Sequence, residues 1–235
     1  MKAASVRWFL IAYVILLVSV IAIDSASDET GIGVSLNWVN GNYSFSGGAP
    51  PWVLAFAAVG IVLYATLFFS RVETTSTPMP HLFRRFVAGM TDWFLSILIG
   101  ASFFGLVSIM IEYSQTGVFQ WVIGREEPHP LDLLQSVIGV FGTFAGMAAY
   151  AALPLSRGKP TPGACMAGYR ISADEGSQMT FWFAVLRALL GSVALLAWPC
   201  WILAYALMRD KRRGKFWLDN IFRTHAEFLS HGHLE

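Results

Sequence analysis

Five runs of apolar residues divide the chain: Trp8–Ile23, Trp52–Ser70, Val87–Ile111, Leu133–Leu153 and Phe181–Leu207, with 16, 19, 25, 21 and 27 residues. A helix needs roughly 20 apolar residues to cross the hydrocarbon core of a bilayer. The first four runs therefore predict one crossing each. Lys2 and Arg7 precede the first run as they would in a secretory signal. Sixteen apolar residues exceed the usual h-region, however, and Ser25–Ser27 makes a poor cleavage site, so the run reads as a retained anchor helix. The fifth run is too long for one crossing, since it would make a helix of about 40 Å. Gly191 and Ser192 sit near its middle and Pro199 follows. Glycine and proline break helices, and such breaks are tolerated at membrane depth where protein covers the freed backbone groups. Two shorter helices, broken or re-entrant, are predicted for 181–207.

The segments between the runs alternate in charge. Residues 1–7 hold Lys2 and Arg7, whereas 24–51 hold only the acids Asp24, Asp28 and Glu29. Residues 71–86 hold Arg71, Arg84 and Arg85; 112–132 hold Arg125 against Glu112, Glu126, Glu127 and Asp132; 154–180 hold Arg157, Lys159 and Arg170. By the excess of Lys and Arg on the cytoplasmic side, these segments run in, out, in, out, in. The tail from residue 208, with Arg209, Lys211, Arg212, Arg213, Lys215 and Arg223, belongs inside too. A paired segment at 181–207 satisfies that parity; a single long crossing puts the most basic segment outside.

Composition agrees. The chain of 235 residues is 55% hydrophobic and 13% charged, against about 25% charged for a soluble domain. Its net charge of +1 gives no sign of a nucleic-acid partner. The expected fold is an all-α polytopic membrane protein with four transmembrane helices, the pair at 181–207, and a small β-hairpin in the outer loop. Residues 1–75 form an N-terminal two-helix segment with that hairpin, and 76–235 a membrane domain with a basic tail. The localisation expected is a bacterial inner membrane, with N-terminus and tail cytoplasmic.

The hairpin is read from Val34, Leu36 and Trp38, then Asn40-Gly41, then Tyr43 and Phe45. Asn-Gly between alternating apolar residues suits a type I′ turn. Two strands are too few to be stable alone, so the flap should rest on helices or on a partner. In the inner loop, Gly168 to Ser172, a turn at Asp174-Glu175-Gly176 and Gln178 to Thr180 read as a second short β element. Pro160 and Pro162 argue against a helix before it. Gly139, Gly142 and Gly146 form a small-residue stripe on the fourth run, at a spacing that lets helix backbones approach. That helix could belong to this chain or to a second copy.

Two charges sit well inside apolar runs, Asp92 and Arg187. Each costs of order 3 kcal/mol at a helix centre, so each should face protein or a water cavity. Arg187 or the basic tail is the expected partner of Asp92, because Arg85 lies seven residues away on the same helix. Either the pair serves as a relay or binding site, or it fixes helix assembly. Catalysis finds no support. The histidines His81, His129, His225, His231 and His233 all lie outside the runs, no Ser-His-Asp or HExxH pattern occurs, and neither Cys165 nor Cys200 has metal-site spacing. No cofactor or metal is expected.

Several stretches resemble the RDD family of integral membrane proteins. Arg84-Arg85-Phe86-Val87-Ala88-Gly89-Met90-Thr91-Asp92 is similar to its opening arginine and first aspartate. Thr161-Pro162-Gly163 through Gly168-Tyr169-Arg170-Ile171, then Phe181 and Arg187, resemble its inner loop and the stretch after it. Asp210-Lys211-Arg212-Arg213, Leu218-Asp219 and Thr224 resemble its closing segment, with the second aspartate at Asp219. The likeness covers about 81–226. It departs at Ala164 and Cys165, where basic residues are usual, at Leu218 for a histidine, and at Arg223 for a glycine. The resemblance implies a membrane domain in which Arg85, Asp92, Arg187, Asp210 and Asp219 form a transport or buried polar site. The leading expectation is a transport-type role for an ion or small solute. Its rival is a non-catalytic accessory or assembly subunit of a larger membrane complex, and a membrane-bound enzyme is the weakest of the three. The expected partners are the lipid bilayer, other membrane subunits, or a second copy through the glycine stripe.

Overall fold

The computed structural model describes residues 3–24, 33–39, 42–71, 74–75, 82–174, 179–196 and 217–229. They are mostly helical. In chain order the elements are α1 Ala3–Asp24, β1 Gly33–Val39, β2 Asn42–Gly48, α2 Pro51–Phe69, β3 Thr74–Thr75, α3 Leu82–Thr116, β4 Val122–Arg125 and α4 Asp132–Ser156. After these come α5 Pro162–Met166, β5 Tyr169–Ala173, α6 Phe181–Leu196, α7 Trp217–Phe222 and β6 Thr224–Leu229.

Three helices, α2, α3 and α4, are long and apolar enough to cross a membrane. The apolar stretch of α1, Val6–Ala22, and that of α6, Phe181–Val193, are shorter. At 35 residues, α3 is about 52 Å long, so its charged ends, Arg84 and Arg85 at one and Glu112 at the other, can stand clear of the roughly 30 Å hydrocarbon core. Gly117, at φ +70°, ends it with a Gly117 N–H to Tyr113 carbonyl bond of 2.9 Å. Phe69, Phe141 and Trp182 are 82, 70 and 75% exposed while Ser96, Ser102 and Ser108 are buried. That inversion of the soluble pattern suits helices whose outer faces meet lipid chains and whose inner faces keep small polar groups. Of the two expected places for a break inside 181–207, Gly191-Ser192 lies within the unbroken helix α6, and Pro199 lies outside the described residues.

Two compact units emerge: residues 1–13, 62–94 and 148–235 in the first, and 14–61 and 95–147 in the second. In the second, the expected hairpin is present, with β1 and β2 antiparallel and Val39 opposite Asn42. Its Asn40-Gly41 turn lies outside the described residues. β4, from the following outer loop, adds a third strand beside β2. The expectation of helices on the flap's inner side is met within this unit, because Phe45 packs on Ile109 of α3 and Ile123 of β4. A Cβ on Gly105 would collide with the Gly48 carbonyl, so the sheet lies directly on α3.

The glycine stripe also faces α3. A Cβ on Gly142 would collide with the Phe104 ring, and one on Gly146 would lie 3.8 Å from the Gly100 Cα. Gly139 is buried in the same row. Of the two occupants expected for the stripe, this chain's own helix is the one seen against Gly142 and Gly146.

In the first unit the fold departs from an all-α expectation. β5 is a strand, but it pairs with β6 from the end of the chain rather than with 178–180, and β3 joins on the other side of β6. Gly168, at φ +74°, makes the bend into β5. The distant strand was the better partner because Thr224–Leu229 offers a full run of register, Tyr169 opposite Phe228 through Ala173 opposite Thr224. A second correction concerns Pro162. It opens a helix, α5, instead of excluding one: the Thr161 side chain caps it and proline takes the first turn, where its missing N–H costs nothing.

Candidate functional site

Asp92 lies on α3, in the first unit, and is partly buried. The short helix α5 meets it end-on. Thr161 donates its hydroxyl to Asp92 Oδ2, and the Gly163 N–H donates to Oδ1 at 2.7 Å. Tyr150, from α4, lies 3.4 Å from Oδ1 through its hydroxyl. Gly163 has to be glycine: a Cβ there would overlap the Ala88 carbonyl oxygen and sit 2.9 Å from Asp92 Oδ2. The Thr161-Pro162-Gly163 sequence therefore has one physical task per residue. Threonine caps and donates, proline starts the helix, and glycine lets the backbone reach the carboxylate.

Arg187 does not reach Asp92; both expected guanidiniums go to Asp219. Arg85 makes a two-pronged contact, Nη1 to Oδ2 at 2.6 Å and Nη2 to Oδ1 at 2.9 Å. Arg187 Nη2 binds Oδ1 at 2.7 Å, and Thr224 donates its hydroxyl to Oδ1 at 3.2 Å. Asp219 is fully buried, and the two arginine side chains are each 8% exposed. Two guanidiniums thus share one carboxylate among the described contacts. The expected pairing of Asp92 with Arg187 is thereby corrected, and the alternative partner, the basic stretch Arg209–Lys215 of the tail, lies outside the described residues. A guanidinium fork matches a carboxylate's two oxygens, and Asp219 offers both oxygens to Arg85 while Asp92 is already filled by neutral donors. Tyr169 stands among these groups and hydrogen-bonds Arg85. Burial pushes its phenol up to about 12, so it remains a neutral hydroxyl. Asp210 lies outside the described residues.

Cys165 packs with Val6, Leu10, Leu67 and Leu229 in an apolar cluster. Burial raises its thiol to about 12, against a small opposing pull from Arg7. A thiol so placed is inert toward oxidants and metals. Among the described residues no group of three or more His, Cys, Asp or Glu side chains could hold a metal ion.

The second unit holds a charge cluster that sequence reading used only for membrane orientation. Arg125 of β4 bridges Glu112 at the end of α3 and Asp132 at the start of α4. Tyr43 of β2 donates to Asp132, and the His129 N–H donates to it at 2.9 Å. The guanidinium also lies over the Phe45 ring, 5.4 Å from its centre. A signal existed: an acid at the first turn of α4, three residues after His129, is a helix-start pattern.

The RDD family model matches residues 79–222. The match spans more than half of the chain, and the chain belongs to the RDD family; with its apolar helices, it is an integral membrane protein. No curated protein and no solved structure matches it.

Proposed function

We propose that this RDD family member moves an ion or small solute across the membrane, with Asp92 as the exchangeable charge and Arg85, Arg187 and Asp219 as the fixed polar frame near it. The observation that carries this reading is the division of partners. Asp219 takes both arginines, while the described contacts of Asp92 are a threonine hydroxyl, a tyrosine hydroxyl and a backbone N–H. A proton or a small cation can neutralise such a carboxylate without displacing a guanidinium. An ionisable group so placed within a membrane helix is costly and is kept where it has work to do.

On this reading the protein is not an enzyme and needs no cofactor. It resides in a bacterial inner membrane with N-terminus and tail cytoplasmic. α1 serves as a fourth crossing, and 181–207 enters and leaves on the cytoplasmic side. The test is reconstitution of the full chain into vesicles loaded with a pH-sensitive dye, with sodium, potassium and proton gradients imposed in turn. Wild-type protein should dissipate at least one gradient, and Asp92→Asn should abolish that flux. Flux in Asp92→Asn equal to wild type sinks the proposal.

A second reading, an accessory or assembly subunit, draws on residues 1–78, which lie outside the family match and carry α1, α2 and the β1–β2 flap. Gentle purification separates the two readings: stoichiometric partner subunits favour the accessory role, and a lone chain counts against it.

A further inference from the structure

We propose that Arg7, from α1, is a positioning residue for Asp92: it holds the far end of α5, the helix whose near end donates to the Asp92 carboxylate. The inference rests on the reading of Asp92 as the exchangeable charge, and all of its contacts lie within the first unit. α5 has only five residues, about 8 Å at 1.5 Å each, so its two ends cannot shift independently. At its start, the Thr161 hydroxyl and the Gly163 N–H donate to Asp92. At its end, Arg7 Nε donates to the Met166 carbonyl at 2.8 Å. The carbonyls of a helix's last turn have no partner inside the helix, and Arg7 supplies one from a distant part of the chain.

That bond does not stand alone. Val6 and Leu10, four residues apart and so on one face of α1, are buried with Cys165, Leu67 and Leu229, and Met166 packs against the same cluster. A Cβ on Gly168, where the chain turns from α5 into β5, would lie 3.5 Å from Arg7 Nη1. The guanidinium therefore spans the exit of α5, and α1 grips this short helix by an apolar face and a polar bond together. A charge needed only to keep the N-terminus at the cytoplasmic surface would serve as well in water, whereas Arg7 is half-buried. It also lies outside the family match at 79–222. The N-terminal segment thus supplies a support for the Asp92 site as well as a membrane anchor.

The probe is dicyclohexylcarbodiimide, which modifies carboxyl groups in apolar surroundings, applied to detergent-solubilised full-length protein. Peptide mass spectrometry follows the rate of labelling at Asp92. Arg7→Met and Arg7→Gln both remove the charge, so any effect of charge on the insertion of α1 is common to them. Both place their fourth side-chain atom where Arg7 has Nε; glutamine keeps an N–H donor there and methionine does not. Arg7→Met should label Asp92 about tenfold faster than the wild type, the factor expected for an acceptor left without its donor. Arg7→Gln should label it at close to the wild-type rate. Asp132, in the second unit, is the reference and should label alike in all three proteins. Equal labelling of Asp92 in Arg7→Met and wild type overturns the proposal, as does equal acceleration in both variants. Acceleration at Asp132 as large as at Asp92 marks a general loosening and overturns it too. If the expected labelling is seen while Asp92→Asn carries flux equal to wild type, the transport reading fails and the positioning of α5 by Arg7 stands.

Discussion

The two charge clusters are opposites in composition. In the first unit two arginines share the Asp219 carboxylate; in the second, two carboxylates share the Arg125 guanidinium. They differ in depth as well. The Arg85, Arg187 and Asp219 side chains are 8, 8 and 0% exposed, whereas Arg125, Glu112 and Asp132 are 16, 13 and 3% exposed. They also differ in how the chain brings them together. Residues 112, 125 and 132 come from one helix end, the loop beyond it and the next helix start. Residues 85, 187 and 219 come from three distant elements, so that cluster exists only once the whole first unit has folded. In each, one central group keeps two like charges from facing each other unscreened.

That central group is where substitution should do most harm. Asp219→Asn leaves Arg85 and Arg187 buried together, and breaking a buried pair in this way costs about 3–5 kcal/mol. The expected outcome is a large fall in the thermal midpoint of the detergent-solubilised protein, or failure to accumulate in the membrane. Arg125→Met should cost less, about 2–3 kcal/mol, because water reaches Glu112 and part of the arginine already. If the two variants melt alike, the difference in depth has no energetic meaning and the contrast fails.

Gly163→Ala tests how tightly α5 is held to α3. Its Cβ would meet backbone, the Ala88 carbonyl oxygen, which cannot rotate away. Overpacking of this kind costs about 1–3 kcal/mol, and the loss should appear in the melting of the first unit. Cys165 then reports on the same unit without changing it. Its buried, high-pKa thiol should resist maleimide in the wild type and in Arg125→Met, and react in Asp219→Asn. Equal labelling in both variants would show that the clusters do not support separate units.

The smallest effect concerns Glu227, outside both clusters. Partial burial pushes its carboxyl up, but Arg170 and His225 outweigh that and hold it below the usual range. A depressed folded value means stability that is present above about pH 4.5 and lost as pH falls further. Glu227→Gln should flatten the acid limb of a pH–stability curve slightly and leave the neutral region unchanged.

Apolar runs marked α2, α3 and α4 within a few residues, because a helix in lipid needs a continuous apolar stretch and little else competes with it. The β1–β2 hairpin was legible for a similar reason: its turn and alternation are local. β4 and β6 were not, since neither four nor six residues of modest pattern say which distant strand they will join. Pro162 misled because the residue that forbids a helix interior favours a helix start, and only the tertiary contact with Asp92 distinguishes them. At the site, the family likeness placed Arg85, Asp92 and Asp219 together as important groups. It did not say who pairs with whom. That choice rests on geometry: the guanidinium forks fit the open face of Asp219, while α5 had already closed over Asp92.

The central claim is that Asp219 holds the fold and Asp92 does the work. Thermal unfolding of Asp92→Asn beside Asp219→Asn, in the same detergent, tests it most directly. Asparagine keeps a carbonyl for the Gly163 N–H, so Asp92→Asn should lose no more than about 1–2 kcal/mol, well short of Asp219→Asn. If Asp92→Asn unfolds as early as Asp219→Asn, Asp92 is a structural group like Asp219, and the division between them is contradicted.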